Sequence, residues 1–206
     1  MNLPKVVIFD LGKVLVDFDY SIAVSRIAAR GRVTAAELGS YIGSAPLLLR
    51  YETGLLTSEE FYREVCAVTG FCGNFEEFAQ AFGDIFVPIE PMVELHSTLR
   101  KQGMPTFLLS NTNELAVRYI RRTYPFFSDF QGHILSYEHG AMKPEARIYD
   151  VAEQVCAHRG PDILYIDDRP ENIAPAHSRG WHAILQETPE KTLETVERMG
   201  LVKRNV

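Results

Sequence analysis

Near the N-terminus, Val6-Val7-Ile8-Phe9 runs without a polar break into Asp10-Leu11-Gly12. A short continuous apolar run of this kind reads as a strand buried on both faces of a parallel sheet. Strands of that sort deliver their last residue to the crevice outside the carboxyl edge of an open α/β sheet, where ligands bind. Asp10 is therefore either a functional carboxylate at that edge or a residue capping the next turn, as aspartates often are. What separates the two is whether later strands bring partners to the same place.

Beyond Asp10 the pattern turns helical. Tyr20 to Arg30 reads as a helix with Gly31 as its C′ residue. Thr34 with Glu37, Thr57 with Glu60, and Asn74 with Glu77 each have capping-box spacing. Phe61, Val65 and Val68 fall on one helical face, as do Phe75, Phe78, Ala79 and Phe82. These aromatics read as a helical core rather than a ligand box, so residues 16–87 are expected to form an all-helical insertion.

From Pro88 helices and strands alternate. Met92, Leu95 and Leu99 make an apolar stripe ended by Gly103, and Thr106–Ser110 is a second buried strand. A helix around Glu114 to Tyr124 precedes a third strand near His133 to Ser136. A helix after Pro144 that carries Ile148, Val151, Ala152 and Val155 leads to a fourth strand, Ile163 to Ile166, running into Asp167-Asp168. A fifth strand, Ala183 to Leu185, precedes a last helix capped at Thr188-Pro189. Such alternation requires right-handed crossovers and a doubly wound parallel sheet. The expected fold is α/β: a five-stranded core from residues 1–15 and 88–206, with residues 16–87 as an inserted helical cap.

Three strands thus end in polar residues at one rim: Asp10, Ser110-Asn111 and Asp167-Asp168, with Lys143 in the loop beyond the third strand. There is no GxGxxG after the first strand, no GxxxxGK[ST], no HExxH and no Cys/His zinc spacing. Gathered carboxylates repel by roughly 4 kcal/mol per pair at 4 Å and an effective dielectric near 20, so they need a cation or must protonate. Hard oxygen donors without His or Cys point to Mg²⁺, which favours carboxylates, waters and a substrate phosphate. Lys143 suits a phosphate as a point charge, and Ser110 offers a hydroxyl. Taken singly, Lys143 also reads as a surface charge, Ser110 as a strand-end cap, and Asp167-Asp168 as anions at a helix N-terminus. Together they make a phosphoryl-transfer centre with Asp10 as nucleophile.

The segments IFDLGKVL, FLLSNTN, GAMKPEARIY and LYIDDRPENI resemble, in order, the four motifs of the haloacid dehalogenase superfamily, in its members with a helical cap after the first motif. The resemblance implies a hydrolase in which Asp10 forms an aspartyl-phosphate. Phosphate contacts would come from Leu11, Gly12, Ser110, Asn111 and Lys143, and Mg²⁺ ligands from Asp10, the Gly12 carbonyl and Asp168, with Asp167 direct or through water. Within the family the sequence is similar to a subgroup that includes an α-D-glucose-1-phosphate phosphatase, so a small phosphorylated metabolite such as a sugar phosphate is the expected substrate.

One position departs from the family pattern. Most phosphatases of the superfamily place a general acid/base aspartate two residues after the nucleophile, where this chain has Gly12. General acid–base catalysis is typically worth about 10²- to 10⁴-fold. Three readings follow: a phosphatase for easily departing leaving groups, a 2-haloacid dehalogenase, or a non-catalytic binder of phosphate or a protein partner. The retained Asp167-Asp168 pair argues against the metal-free dehalogenase. Asp17, Asp19, Glu138 and His139 are candidate replacement acids, and an aspartate at position 12 is expected to be tolerated. Arg50, Tyr51 and Glu52 are candidate specificity residues of the cap, and equally an ordinary polar helix end.

The formal charge of −6 disfavours nucleic acid or an anionic membrane as partner. No apolar run approaches the ~20 residues of a membrane span. Cys66, Cys72 and Cys156 form no metal or redox pattern and read as reduced thiols, which with the absence of a signal-peptide pattern suits a cytoplasmic protein. Oligomeric state is left open.

Overall fold

The structure, a computed structural model, describes residues 3–44 and 46–202. Five strands form one parallel sheet: β1 (Val6–Phe9), β4 (Thr106–Ser110), β5 (Gly132–Leu135), β6 (Ile163–Asp167) and β7 (His182–Leu185). Their order, β5-β4-β1-β6-β7, puts β1 in the centre, with Phe9 level with Leu108 on one side and Ile166 on the other. All four residues of β1 are fully buried, because each face is covered. Val7 and Phe9 pack on the side of α6 (Glu90–Lys101), α7 (Glu114–Thr123) and α11 (Pro189–Arg198). Val6 and Ile8 pack on the side of α9 (Ala146–Cys156) and α10 (Pro170–Ser178). This is the expected doubly wound core.

Among the described residues the insertion holds five helices: α1 (Tyr20–Ala28), α2 (Ala35–Ser44), α3 (Leu47–Glu52), α4 (Ser58–Thr69) and α5 (Phe75–Gly83). Both Thr57–Glu60 and Asn74–Glu77 form complete capping boxes, and Thr34 and Glu37 exchange the corresponding bonds. The insertion is not helical throughout. Val16–Phe18 (β2) and Phe86–Pro88 (β3) pair antiparallel as a ribbon at its root. Strands of three residues are too short for alternation to register in a sequence.

Other local expectations shift. Helix α1 closes at Ala29, and Gly31 has a different job: a Cβ there would lie 2.6 Å from the Thr69 carbonyl oxygen. Val68 and Val155 face outward, because the inward stripes are Phe61, Val65 and Thr69 on α4 and Ile148, Tyr149, Ala152 and Cys156 on α9. The apolar interior of the insertion, including Tyr51, Phe61, Phe78 and Phe82, is continuous with the core side chains Leu115, Ala116 and Ile120 of α7. Among the described residues, no helix is long and apolar enough to cross a membrane.

Candidate active site

Parallel alignment of β1, β4 and β6 brings Asp10, Ser110 and Asp167 to the same carboxyl edge. Asp10 follows the last residue of β1, and its N–H donates to the Ile166 carbonyl at 2.9 Å. Its Oδ1 accepts from the Leu11 N–H at 2.6 Å and pairs with Lys143 Nζ at 2.8 Å. Lys143 reaches in from the segment between β5 and α9. Its ammonium is buried, and its three donors meet three acceptors: Asp10 Oδ1, Asp167 Oδ2 at 2.7 Å, and the Leu109 carbonyl at 3.0 Å. The surface-charge reading of Lys143 is therefore excluded.

Asn111 holds the lysine in place. Its Oδ1 accepts from the Lys143 N–H at 2.8 Å and its Nδ2 donates to the Lys143 carbonyl at 2.9 Å. The family resemblance implies a phosphate contact for Asn111; the structure gives its side chain this positioning contact. Ser110 is buried at the end of β4, and among the described residues its hydroxyl makes only a long bond, 3.4 Å, to the Asn111 carbonyl. That hydroxyl is available to a ligand.

The two aspartates after β6 differ. Asp167 is fully buried and saturated: it accepts from Lys143, from the Tyr165 hydroxyl, from the Arg169 N–H at 2.8 Å, and from Asn172 Nδ2 at 3.0 Å. Asp168 is half-buried, and no such set of side-chain donors surrounds its carboxylate among the described residues. Tyr165 and Asn172 were not singled out from sequence. Asn172 lies within the quoted DDRPEN segment, whereas Tyr165 looks like any core strand residue.

Three carboxylates share one ammonium. Burial pushes the Asp10 carboxyl up to about 7, with Lys143 opposing and the Asp167 charge adding to the rise. Burial also works against ionised Asp167, but Lys143 and the other donors outweigh it and hold its pKa below the usual range. Asp168 is pushed up, by burial first and then by Asp167. Lys143 loses by burial but gains more from the two aspartates, so its charge is held firmly. The site keeps an excess of negative charge that a cation would neutralise. One oxygen from each of Asp10, Asp167 and Asp168 lies within 4.8 Å of the others, and an all-carboxylate set of this size fits a hard divalent ion.

Gly12 sits in the loop after Asp10, and a Cβ there would lie 2.7 Å from Phe18 Cε1. An aspartate at position 12 therefore requires the Phe18 ring to shift. Three of the candidate replacement acids have other partners. Asp17 pairs with Lys13 and accepts from the Phe18 N–H at 2.8 Å. Asp19 caps α1 through the Ser21 N–H at 2.8 Å. Exposed Glu138 accepts from the Tyr137 hydroxyl at 3.1 Å.

A model of the haloacid dehalogenase-like hydrolase family matches residues 4–180, which covers every motif of the site. The chain belongs to that family. Among its relatives is a D-ribitol-5-phosphate phosphatase of Bacteroides thetaiotaomicron, 25% identical over 191 residues, spanning 89% of this chain and 92% of that protein. A sesquiterpene phosphatase of Aspergillus oryzae is 24% identical over 179 residues, spanning 85% and 86%. The solved structure of a haloacid dehalogenase family enzyme from B. thetaiotaomicron, in complex with magnesium and inorganic phosphate, superposes with a TM-score of 0.77. It is 23% identical and covers 88% of this chain and 93% of its own.

Proposed function

We propose that the protein is a Mg²⁺-dependent phosphatase that hydrolyses a small phosphorylated metabolite through an aspartyl-phosphate on Asp10. The observation that carries this reading is the Lys143 ammonium clamped between Asp10 and Asp167 at the sheet edge. The clamp keeps Asp10 oriented by one oxygen, Oδ1, and leaves Oδ2 without a hydrogen-bond partner among the described residues. Oδ2 is then the atom that bonds to phosphorus as the P–O bond to the leaving group breaks. Water subsequently attacks phosphorus and the Asp10–phosphorus bond breaks, releasing phosphate and restoring the carboxylate.

The Ser110 hydroxyl offers a donor to a phosphoryl oxygen, and the Lys143 charge, its three N–H groups held by Asp10, Asp167 and the Leu109 carbonyl, offsets the negative charge shifting among those oxygens through its field. Asp10, the Gly12 carbonyl and Asp168 would hold Mg²⁺, with saturated Asp167 acting through its contacts to Lys143 rather than as a primary ligand. Bound there, Mg²⁺ supplies charge neutralisation at the phosphoryl group. The residues 16–87 act as the cap over this edge. Gly12 supplies no proton, so substrates whose leaving group departs readily are favoured. An anomeric sugar phosphate meets that condition; the relative that acts on ribitol 5-phosphate, a primary-alcohol ester, supports only the wider class of small phosphorylated metabolites.

The test is hydrolysis of p-nitrophenyl phosphate by purified protein with Mg²⁺. Activity is expected, and EDTA or Asp10→Asn abolishes it. Release of halide from a 2-haloacid without phosphatase activity would overturn the reading in favour of a dehalogenase.

A further inference from the structure

Gln186 follows the last residue of β7, on the carboxyl edge of the sheet, and is buried. It lies beyond residues 4–180 of the family match, and no motif marks it in the sequence. Its backbone N–H donates to the Asp167 carbonyl at 2.9 Å. Its side chain reaches past β6 to the loop that leaves β1. There Nε2 donates to the Lys13 carbonyl at 2.8 Å and, more weakly, to the Val14 carbonyl at 3.4 Å. One residue thus joins the segment that carries Asp168 to the loop that carries Gly12.

The carbonyls of that loop are almost all taken. Among the described residues, the Leu11 carbonyl accepts from the Leu15 and Val16 N–H groups at 2.8 and 2.9 Å. The Leu15 carbonyl accepts from the Ile89 N–H at 2.9 Å, and the Val16 carbonyl from the Lys13 N–H at 2.7 Å. Gln186 serves those of Lys13 and Val14. From Leu11 to Val16, only the Gly12 carbonyl has no donor among the described residues. A free backbone carbonyl two residues from Asp10 is an oxygen ligand for the same hard cation.

This conformation needs holding. Lys13 has φ +58°, a left-handed backbone that costs a non-glycine residue roughly 1–2 kcal/mol and persists where its surroundings over-determine it. The Lys13 ammonium is tied to Asp17 and to the Phe18 carbonyl at 3.0 Å, and Gln186 holds the Lys13 carbonyl. The Gln186 Oε1 is buried and has no partner among the described residues. What the side chain contributes here is its donor alone.

We propose that Gln186 is a positioning residue for the metal. Its amide fixes the Lys13 and Val14 carbonyls and so keeps the loop in the conformation that spares the Gly12 carbonyl for the cation shared with Asp10 and Asp168. Without that amide the Lys13 and Val14 carbonyls lose their donor, and the loop is free to leave the left-handed turn. This deepens the Mg²⁺ reading of the Asp10 site and rests on it.

The experiment titrates the full chain with Mn²⁺, a paramagnetic stand-in for Mg²⁺, and follows the free ion by electron paramagnetic resonance. Gln186→Met removes the amide, Gln186→Asn withdraws it by one methylene, and Gln186→His keeps an N–H at similar reach. The first two are expected to weaken Mn²⁺ binding about tenfold or more, and the histidine to restore most of it. At saturating Mg²⁺, kcat for p-nitrophenyl phosphate is expected to stay within about twofold of wild type in all three, because the lost interaction acts on the metal rather than on the reacting atoms. Unchanged Mn²⁺ affinity in the methionine and asparagine variants overturns the proposal, as does a loss that histidine does not restore. Failure of both variants to fold also overturns it, by making Gln186 a residue of the fold rather than of the metal site. Wild-type protein that binds no Mn²⁺ overturns the metal site and the proposal together. Wild-type protein that binds Mn²⁺ but leaves p-nitrophenyl phosphate intact overturns the phosphatase reading alone, and the titrations still decide the role of Gln186.

Discussion

Lys143 Nζ stands 2.8 Å from Asp10 Oδ1 while its remaining donors are held by Asp167 and the Leu109 carbonyl. Every N–H of the ammonium is thus spent inside the protein, in a place with almost no solvent access. The lysine both supports the nucleophile and is itself positioned by Asn111.

Lys143→Met leaves two buried carboxylates without their counter-charge. Removing one partner of a buried pair typically costs about 3–5 kcal/mol. The variant is expected to lose that much stability in urea denaturation without metal and to lose phosphatase activity altogether. Mg²⁺ is expected to restore part of the stability, because it supplies the missing positive charge to the same carboxylates. A variant as stable as wild type in EDTA would show that the pair contributes nothing to folding.

Gly12→Asp puts a Cβ against Phe18 Cε1. Phe18 cannot move freely, since its ring packs with Tyr20 at 5.3 Å and Phe86 at 5.7 Å. Overpacking of this kind costs about 1–3 kcal/mol. The loss is expected in chemical denaturation, and Phe18→Leu in the same chain is expected to recover most of it. If the single variant is fully stable, the ring has room to turn. Turnover of alkyl phosphates by the double variant then tests whether an aspartate at 12 supplies the absent proton.

His96 lies buried behind β1, stacked on Phe130 at 3.9 Å and bonded through Nε2 to Thr106 Oγ1 at 3.1 Å. Burial lowers its pKa from 6.5 to about 4, with Asp129 opposing and Arg100 assisting. Its folded pKa is depressed, so between pH 6.5 and 4 the unfolded chain binds the extra proton and stability falls as pH falls. The drop attributable to this group is roughly 3 kcal/mol at most. Comparing unfolding free energies of wild type and His96→Gln from pH 7.5 to 4 measures it. The difference between the two proteins is expected to change across that window and to be constant above it.

The amino-acid order was enough to place the β1 strand, the alternating core, the three capping-box spacings and the set Asp10, Ser110, Lys143 and Asp167-Asp168. These rest on local signals: buried strands are continuous apolar runs, caps have fixed spacing, and strand ends in a parallel sheet share one edge. What only the tertiary structure decided is who touches whom across that edge. Asn111 turned to Lys143, Asp167 became saturated while Asp168 did not, and Phe18 came to fill the space beside Gly12. The sorting of Arg50, Tyr51 and Glu52 is of the same kind. Three adjacent polar or aromatic residues look alike in a sequence, but a short helix turns them in three directions, toward Glu64 on the surface, the apolar cap interior and the Tyr20 hydroxyl. Which of them bonds to the Tyr20 hydroxyl 32 positions earlier depends on the packing of the cap helices. Neither residue type nor spacing carries that information.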